Sequence, residues 1–389
     1  MIIQNGTVFT KGSSFENTTI EIKEDKIQNL TTFAGTEASS EECYDAAGCY
    51  VIPGLVDLHF HGCVGADISD HKEEDIRDMA SYELKSGITA ICPATMTLPE
   101  AELAGVLTTT SDYMTSGKGS APGADLVGIN LEGPFISTAK KGAQNEDYIK
   151  NPDLEMFSRL QTLAPGLAKL ITLAPELPGA MDFITAVKDQ IIVSLGHSTA
   201  NYATASEAFL KGARHVTHLL DAMSPFGHRD TGIVGAAFDN HAVRVELISD
   251  GIHISDSMIR AVFQLFTEDR VILISDSMRA AGMPDGSYTL GGQAVTVSGR
   301  LATLADGTIA GSVTNLMDCM RYAICHAGIP LEKAVKAATI NPARELGIEK
   351  LHGQIAEGAL ANLVILDKDL NIKDIIFHGK VLAPVTNSF

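Results

Sequence analysis

Two histidines one residue apart, His59 and His61, close an apolar run that opens at Pro53. In extended chain the side chains alternate faces, so both imidazoles point one way and Phe60 points the other. Paired imidazoles at a strand end make half of a metal site. The other half recurs down the chain, each time at the end of an apolar run: Glu132, His197, His218 and Asp276. Any one of these alone is weak evidence, but their joint pattern describes a divalent metal site with imidazole and carboxylate ligands. The ligand number suggests two ions. Glu132 can bridge with both oxygens, His59, His61 and Asp276 would hold one ion, and His197 with His218 the other. Two adjacent cations generate hydroxide from water at neutral pH and polarise a carbonyl. Asp276 would take the proton of that water and pass it to a leaving group. An amide is the natural substrate, because its nitrogen must be protonated to leave.

These residues need a scaffold that brings many strand ends to one rim. The middle of the chain supplies eight short apolar segments, at 54–58, 88–92, 126–130, 169–173, 191–195, 215–217, 243–248 and 271–275. Most are rich in valine, isoleucine and leucine, as strands buried on both faces are. Helical patterns lie between most of them, for example at 73–86, 99–115, 201–212 and 255–266. Eight strand–helix units predict a (β/α)8 TIM-like barrel, whose active-site residues come from the C-terminal strand ends and the loops after them. A Gly-punctuated strand pattern over 287–309 reads as a hairpin insertion after the eighth strand, and helices at 315–327 and 331–339 follow it. Short strand-like pieces at both chain ends are too small to bury a core separately. They are expected to pair into one discontinuous β-sandwich domain of residues 1–54 and 355–389 around a catalytic barrel of residues 55–354.

Composition narrows the setting. The chain has 389 residues and a formal net charge of −19, which argues against nucleic acid or an anionic membrane as the main partner. No apolar run approaches the roughly 18 residues of a membrane span, and the N-terminus lacks the basic and apolar regions of a signal peptide. Six cysteines are too sparse for a disulfide scaffold and lack zinc-knuckle spacing, so a reduced, cytoplasmic setting is expected.

The ligand order, with the run Gly54-Leu55-Val56-Asp57-Leu58-His59-Phe60-His61-Gly62, resembles the amidohydrolase superfamily. Flanking motifs narrow the resemblance to the N-acetylglucosamine-6-phosphate deacetylases. They include Glu132-Gly133-Pro134-Phe135, Gly196-His197-Ser198, Thr217-His218-Leu219, Ala222-Met223, His228-Arg229, Asp250-Gly251-Ile252-His253 and Asn341-Pro342-Ala343. The resemblance implies hydrolysis of the acetamide of N-acetyl-D-glucosamine 6-phosphate to glucosamine 6-phosphate and acetate; the imidazole and carboxylate ligands suit two ions of Zn, Fe, Mn or Co. It makes Asp276 the acid/base, and Glu132, His197 and His218 the common ligands. It has His253 contact the sugar, and Asp221 with Ala222 line the phosphate pocket. It implies a homodimer in which Arg229 binds the phosphate in the neighbouring subunit's site.

Three positions depart from the common pattern. The His59/His61 pair is absent from some members, and its presence favours two ions. Gln144 stands where some members carry a histidine that polarises the substrate carbonyl; with two ions that task passes to metal, and Gln144 is left to donate a hydrogen bond. Asp221 stands where asparagine is usual, and a carboxylate beside a phosphate is repulsive. The expectation is that Asp221 turns away and the main chain binds the phosphate.

Rival readings are a cyclic-amide hydrolase, the same deacetylation on N-acetylgalactosamine 6-phosphate or another N-acyl amino sugar, and a non-catalytic barrel. The first needs a bridging lysine at the end of the fourth strand, where Ala174-Pro175-Glu176 stands instead. The last predicts lost ligands, yet all are present. His215 and Cys63 read as structural, His228 equally as a phosphate-binding neighbour of Arg229 or as an exposed loop residue, and Asp57 and Asp250 as hydrogen-bonding supports for nearby groups.

Overall fold

The computed structural model describes residues 1–11, 13–31, 42–115 and 123–382. Parts of the expected β domain, residues 32–41 and 383–389, lie outside these. The barrel strands are β1 (Leu55–Asp57), β2 (Ile88–Ile91), β3 (Ile129–Glu132), β4 (Ala168–Leu173), β5 (Ile192–Leu195), β6 (His215–Val216), β7 (Arg244–Ile248) and β8 (Val271–Ile274). All neighbouring pairs from β3 to β8 are parallel, as are β1 and β2. The stretch after β2 carries the pairing on to β3, with Ala94 opposite Asn130. The Asp276 N–H donates to the His59 carbonyl at 2.9 Å and joins β8 to β1. The third strand differs from expectation. The run at 126–130 straddles two short strands, Asp125–Leu126 and Ile129–Glu132, with Gly128 between them.

Strand alternation sets the two faces. In β7, Ile248 joins an interior cluster with Val56, Leu58, Leu170, Ile192, Ile272 and Ile274. Val245 and Leu247 pack outward among helix residues such as Ile259, Val262 and Phe266. Ala343 and Leu346, on a helix (Ile340–Leu346) absent from the sequence expectation, join the interior cluster.

Both chain ends meet in one sheet, where Tyr50–Pro53 pairs with Thr7–Phe9 on one side and Leu363–Leu366 on the other. A four-stranded sheet of N-terminal strands faces it, and Ile3, Ile20 and Ile27 share a core with Val8, Val51, Leu363 and Ile376. The insertion after β8 is a three-stranded antiparallel sheet of Gly286–Leu290, Gln293–Ser298 and Leu301–Thr303. No helix among the described residues is long and apolar enough to cross a membrane.

Candidate metal centre

A local irregularity aims the first histidine pair. Val56 and Leu58 face the barrel interior, so unbroken alternation would send His59 and His61 outward among the helices. The hydrogen bonds to the next strand break that phase. The Asp57 carbonyl accepts from Cys92 N–H and the Phe60 carbonyl from Ala94 N–H. Three steps on one strand thus match two on its neighbour, which is a β-bulge. Beyond it Phe60 packs outward in the helix layer, while His59 and His61 turn to the rim. The Asp57 carboxylate accepts the His59 N–H at 3.2 Å and the Ser275 hydroxyl at 2.5 Å, pinning this turn to β8.

At the rim the six expected ligands come together in two triads, His59 with His61 and Asp276, and Glu132 with His197 and His218, all buried. Glu132 lies between them. Its Oε1 is 3.0 Å from both His197 Nε2 and His218 Nε2 and 3.5 Å from His59 Nε2, and its Oε2 is 3.3 Å from His61 Nε2. Asp276 Oδ1 is 3.2 Å from His61 Nε2 and 3.7 Å from His59 Nε2. Three of these residues, His197 (φ +46°), His218 (φ +25°) and Asp276 (φ +48°), sit in the left-handed region. L-residues adopt it at a cost of about 1–3 kcal/mol, and such outliers cluster at functional sites.

The outer ring nitrogens tell which way the inner ones face. His61 Nδ1 lies 2.9 Å from the Ala94 carbonyl and His197 Nδ1 2.8 Å from the Lys140 carbonyl. A carbonyl only accepts, so both Nδ1 atoms carry protons and a neutral ring presents a bare Nε2 to the centre. His59 donates Nδ1–H to Glu246 at 2.8 Å. His59 Nε2 and Asp276 Oδ1 are buried without a hydrogen-bond partner among the described residues. Lone pairs and carboxylates so arranged require positive charge among them, and a divalent cation fits that donor set. The electrostatics agree. Burial alone would lower the His61 imidazole, yet the Asp276 and Glu132 carboxylates beside it bring it up to about 10, a demand for positive charge that a divalent ion would meet. Burial alone would raise Glu132, yet His59, His197 and His218 hold it well below the usual carboxylate range.

Beside the triads opens a cleft of about 280 Å³, lined among others by Gln144, Asp221, Ala222, His253 and Asp276. Gln144 is held firmly. Its Oε1 accepts the Thr97 N–H at 2.7 Å and its Nε2 donates to Glu132 Oε2 at 2.5 Å. Its amide therefore donates its hydrogen bond to Glu132, while the residue also lines the cleft. Asp221 lines the cleft, with its Oδ2 buried and without a hydrogen-bond partner among the described residues. Burial pushes its carboxyl up to about 6, with His253 and His218 drawing it back down. Asp250 supports His253 as expected, accepting its Nδ1–H at 2.9 Å and two backbone N–H groups of its own loop. Arg229 and His228 are exposed on the loop after β6 and do not line this cleft.

The sequence reading missed Glu246, which accepts from His59, and the part played by the insertion. Glu246 left a signal, since a glutamate in the middle of the buried strand Arg244-Val245-Glu246-Leu247-Ile248 needs a partner. The insertion left none, although Leu290, Thr308 and Ile309 line the cleft.

Residues 50–382 match the amidohydrolase family. N-acetylglucosamine-6-phosphate deacetylase of Bacillus subtilis is 36% identical over 382 residues, covering 98% of this chain and 96% of that protein. N-acetylgalactosamine-6-phosphate deacetylase of Escherichia coli O157:H7 is 31% identical over 332 residues, covering 85% and 87% respectively. A Mycobacterium smegmatis N-acetyl-D-glucosamine-6-phosphate deacetylase variant, solved with N-acetyl-D-glucosamine-6-phosphate, superposes with TM-score 0.90 at 30% identity and covers 98% of each chain.

Proposed function

The chain belongs to the amidohydrolase family, and from that premise we propose that it hydrolyses the acetamide of N-acetyl-D-glucosamine 6-phosphate, giving D-glucosamine 6-phosphate and acetate. The observation that carries this is the Glu132-centred pair of triads opening on a cleft, in a chain so similar over its whole length to deacetylases of that substrate. His59, His61 and Asp276 would hold one divalent ion, and Glu132, His197 and His218 the other. Zn, Fe, Mn and Co all suit these ligands. Bound there, such ions would supply Lewis acidity toward the acetyl carbonyl and a water nucleophile at neutral pH.

The protein's own groups do the rest. Asp276 accepts the proton of the attacking water and delivers it to the departing nitrogen. Gln144, fixed by Thr97, restrains Glu132. His253, oriented by Asp250, contacts the sugar, and the main chain at Asp221 and Ala222 borders the phosphate. Arg229 is exposed and outside its own cleft, which supports a homodimer in which it reaches the phosphate bound by the partner. A cytoplasmic setting belongs to the same reading.

The test is a deacetylation assay on both N-acetylated hexosamine 6-phosphates and their unphosphorylated forms, with metal content measured on the same sample. Turnover restricted to the 6-phosphates, with glucosamine preferred and divalent metal present, is expected. Equal use of unphosphorylated N-acetylglucosamine would remove the phosphate pocket. Preference for the galactosamine ester would favour the second reading, which the Escherichia coli relative supports.

A further inference from the structure

We propose that Glu246 is a positioning residue that ties the two ligand triads together, held in turn by a line of charges that runs through the barrel to the partly exposed Arg244. The proposal rests on the two-ion reading above. Arg244, Glu246 and Ile248 alternate to the inner face of β7, and Glu246 is fully buried and borders no part of the cleft.

Its two oxygens serve different partners. Oε2 accepts the Nδ1–H of His59 at 2.8 Å and the backbone N–H of His218 at 3.0 Å. Oε1 lies 3.0 Å from His215 Nε2. The other nitrogen of His215 is 3.4 Å from Glu345 Oε1, and the Arg244 guanidinium donates to Glu345 Oε2. One carboxylate therefore grips a side chain of one triad and the main chain of the other.

Each grip has a consequence. Holding the proton on His59 Nδ1 leaves its Nε2 lone pair facing Glu132 and Asp276. Holding the His218 N–H braces a residue at φ +25°, a conformation that persists only where its surroundings enforce it. His215 sits between two carboxylates, and its Nε2–H donates to Glu246, which fixes the Glu246 side chain from below. A network that served folding alone would show equal loss of stability with and without metal, and no effect on the His59 tautomer.

The test uses full-length Glu246→Gln stripped of metal and titrated with Co(II), followed by absorption and metal analysis. Long-range 15N NMR reports the histidine tautomers, and thermal melts of the stripped protein report the fold. The amide lacks the charge and opposes a donor to His215, so Co(II) affinity at the His59 site should fall by about 10–100-fold. The His59 Nδ1–H signal should shift or vanish, with a smaller loss at the other site. Unchanged affinity and an unchanged His59 signal in a folded variant would overturn the proposal. If the parent takes up a single ion, the two-ion reading falls, and the proposal is judged on that ion: about tenfold weakening supports it, unchanged affinity ends it. Should Glu246→Gln not fold, His215→Gln, which removes the support and keeps Glu246, is read by the same criteria.

Discussion

Asp276 is the residue on which turnover should depend most directly. It lines the cleft, reaches toward His59 and His61, and leaves Oδ1 without a hydrogen-bond partner among the described residues. An asparagine there keeps an oxygen for the metal but accepts no proton. Asp276→Asn is therefore expected to retain metal while kcat falls by about 10²–10⁴-fold. Steady-state kinetics and metal analysis on one preparation check this, and near-parental kcat would exclude Asp276 as the proton carrier.

At the level of elements, the insertion after β8 does more than interrupt the barrel. Gln293 donates to the Ala143 carbonyl beside Gln144, and Arg300 donates to the Asp250 carbonyl beside the His253 loop. Its turns thus brace two loops that carry cleft residues. Arg300→Ala should raise KM several-fold, because a charge-assisted hydrogen bond contributes roughly 1.5–3 kcal/mol, and should leave metal content unchanged. A fall in metal content with KM constant would place the effect elsewhere. The helix Glu73–Lys85 carries a different tension, since Glu83 is completely buried. Burial, with the Asp57 charge adding to it, pushes the Glu83 carboxyl well above its ordinary value of 4.5. The folded state then holds a proton that the unfolded chain releases. Such a contribution is fully present below the unfolded pKa and is lost as pH rises toward the folded one. Glu83→Gln removes that dependence. Its melting temperature should gain on the parent's between pH 5 and pH 8, and a difference constant across this range would contradict the assignment.

For the whole molecule the open question of assembly has a direct answer in mixing. Arg229 lies exposed after β6, outside its own cleft. If it completes a partner's site, Arg229→Ala and Asp276→Asn are each inactive alone but complement each other. Random exchange into a two-fold dimer gives half heterodimers with one intact site each, so about a quarter of parental activity should return. No recovery in a demonstrated heterodimer would mean that Arg229 acts within its own subunit.

Much of this protein can be read in its residues. The eight apolar runs, the pairing of strands from both chain ends and the six imidazole and carboxylate residues at strand ends follow from periodicity and residue chemistry, because a buried strand permits few residue types. Tertiary structure decided what periodicity cannot carry. Only the hydrogen bonds to the neighbouring strand reveal the bulge that returns His59 and His61 to the rim. Gln144 is claimed by Glu132, and Glu246 by His59, through contacts between residues distant in the chain. The insertion reached the cleft through loop-to-loop packing, which leaves no repeat or spacing in a sequence. The amino acids thus specified which chemical groups are present and which strand ends carry them. Their aim, and the partners that hold it, came from the closure of the barrel.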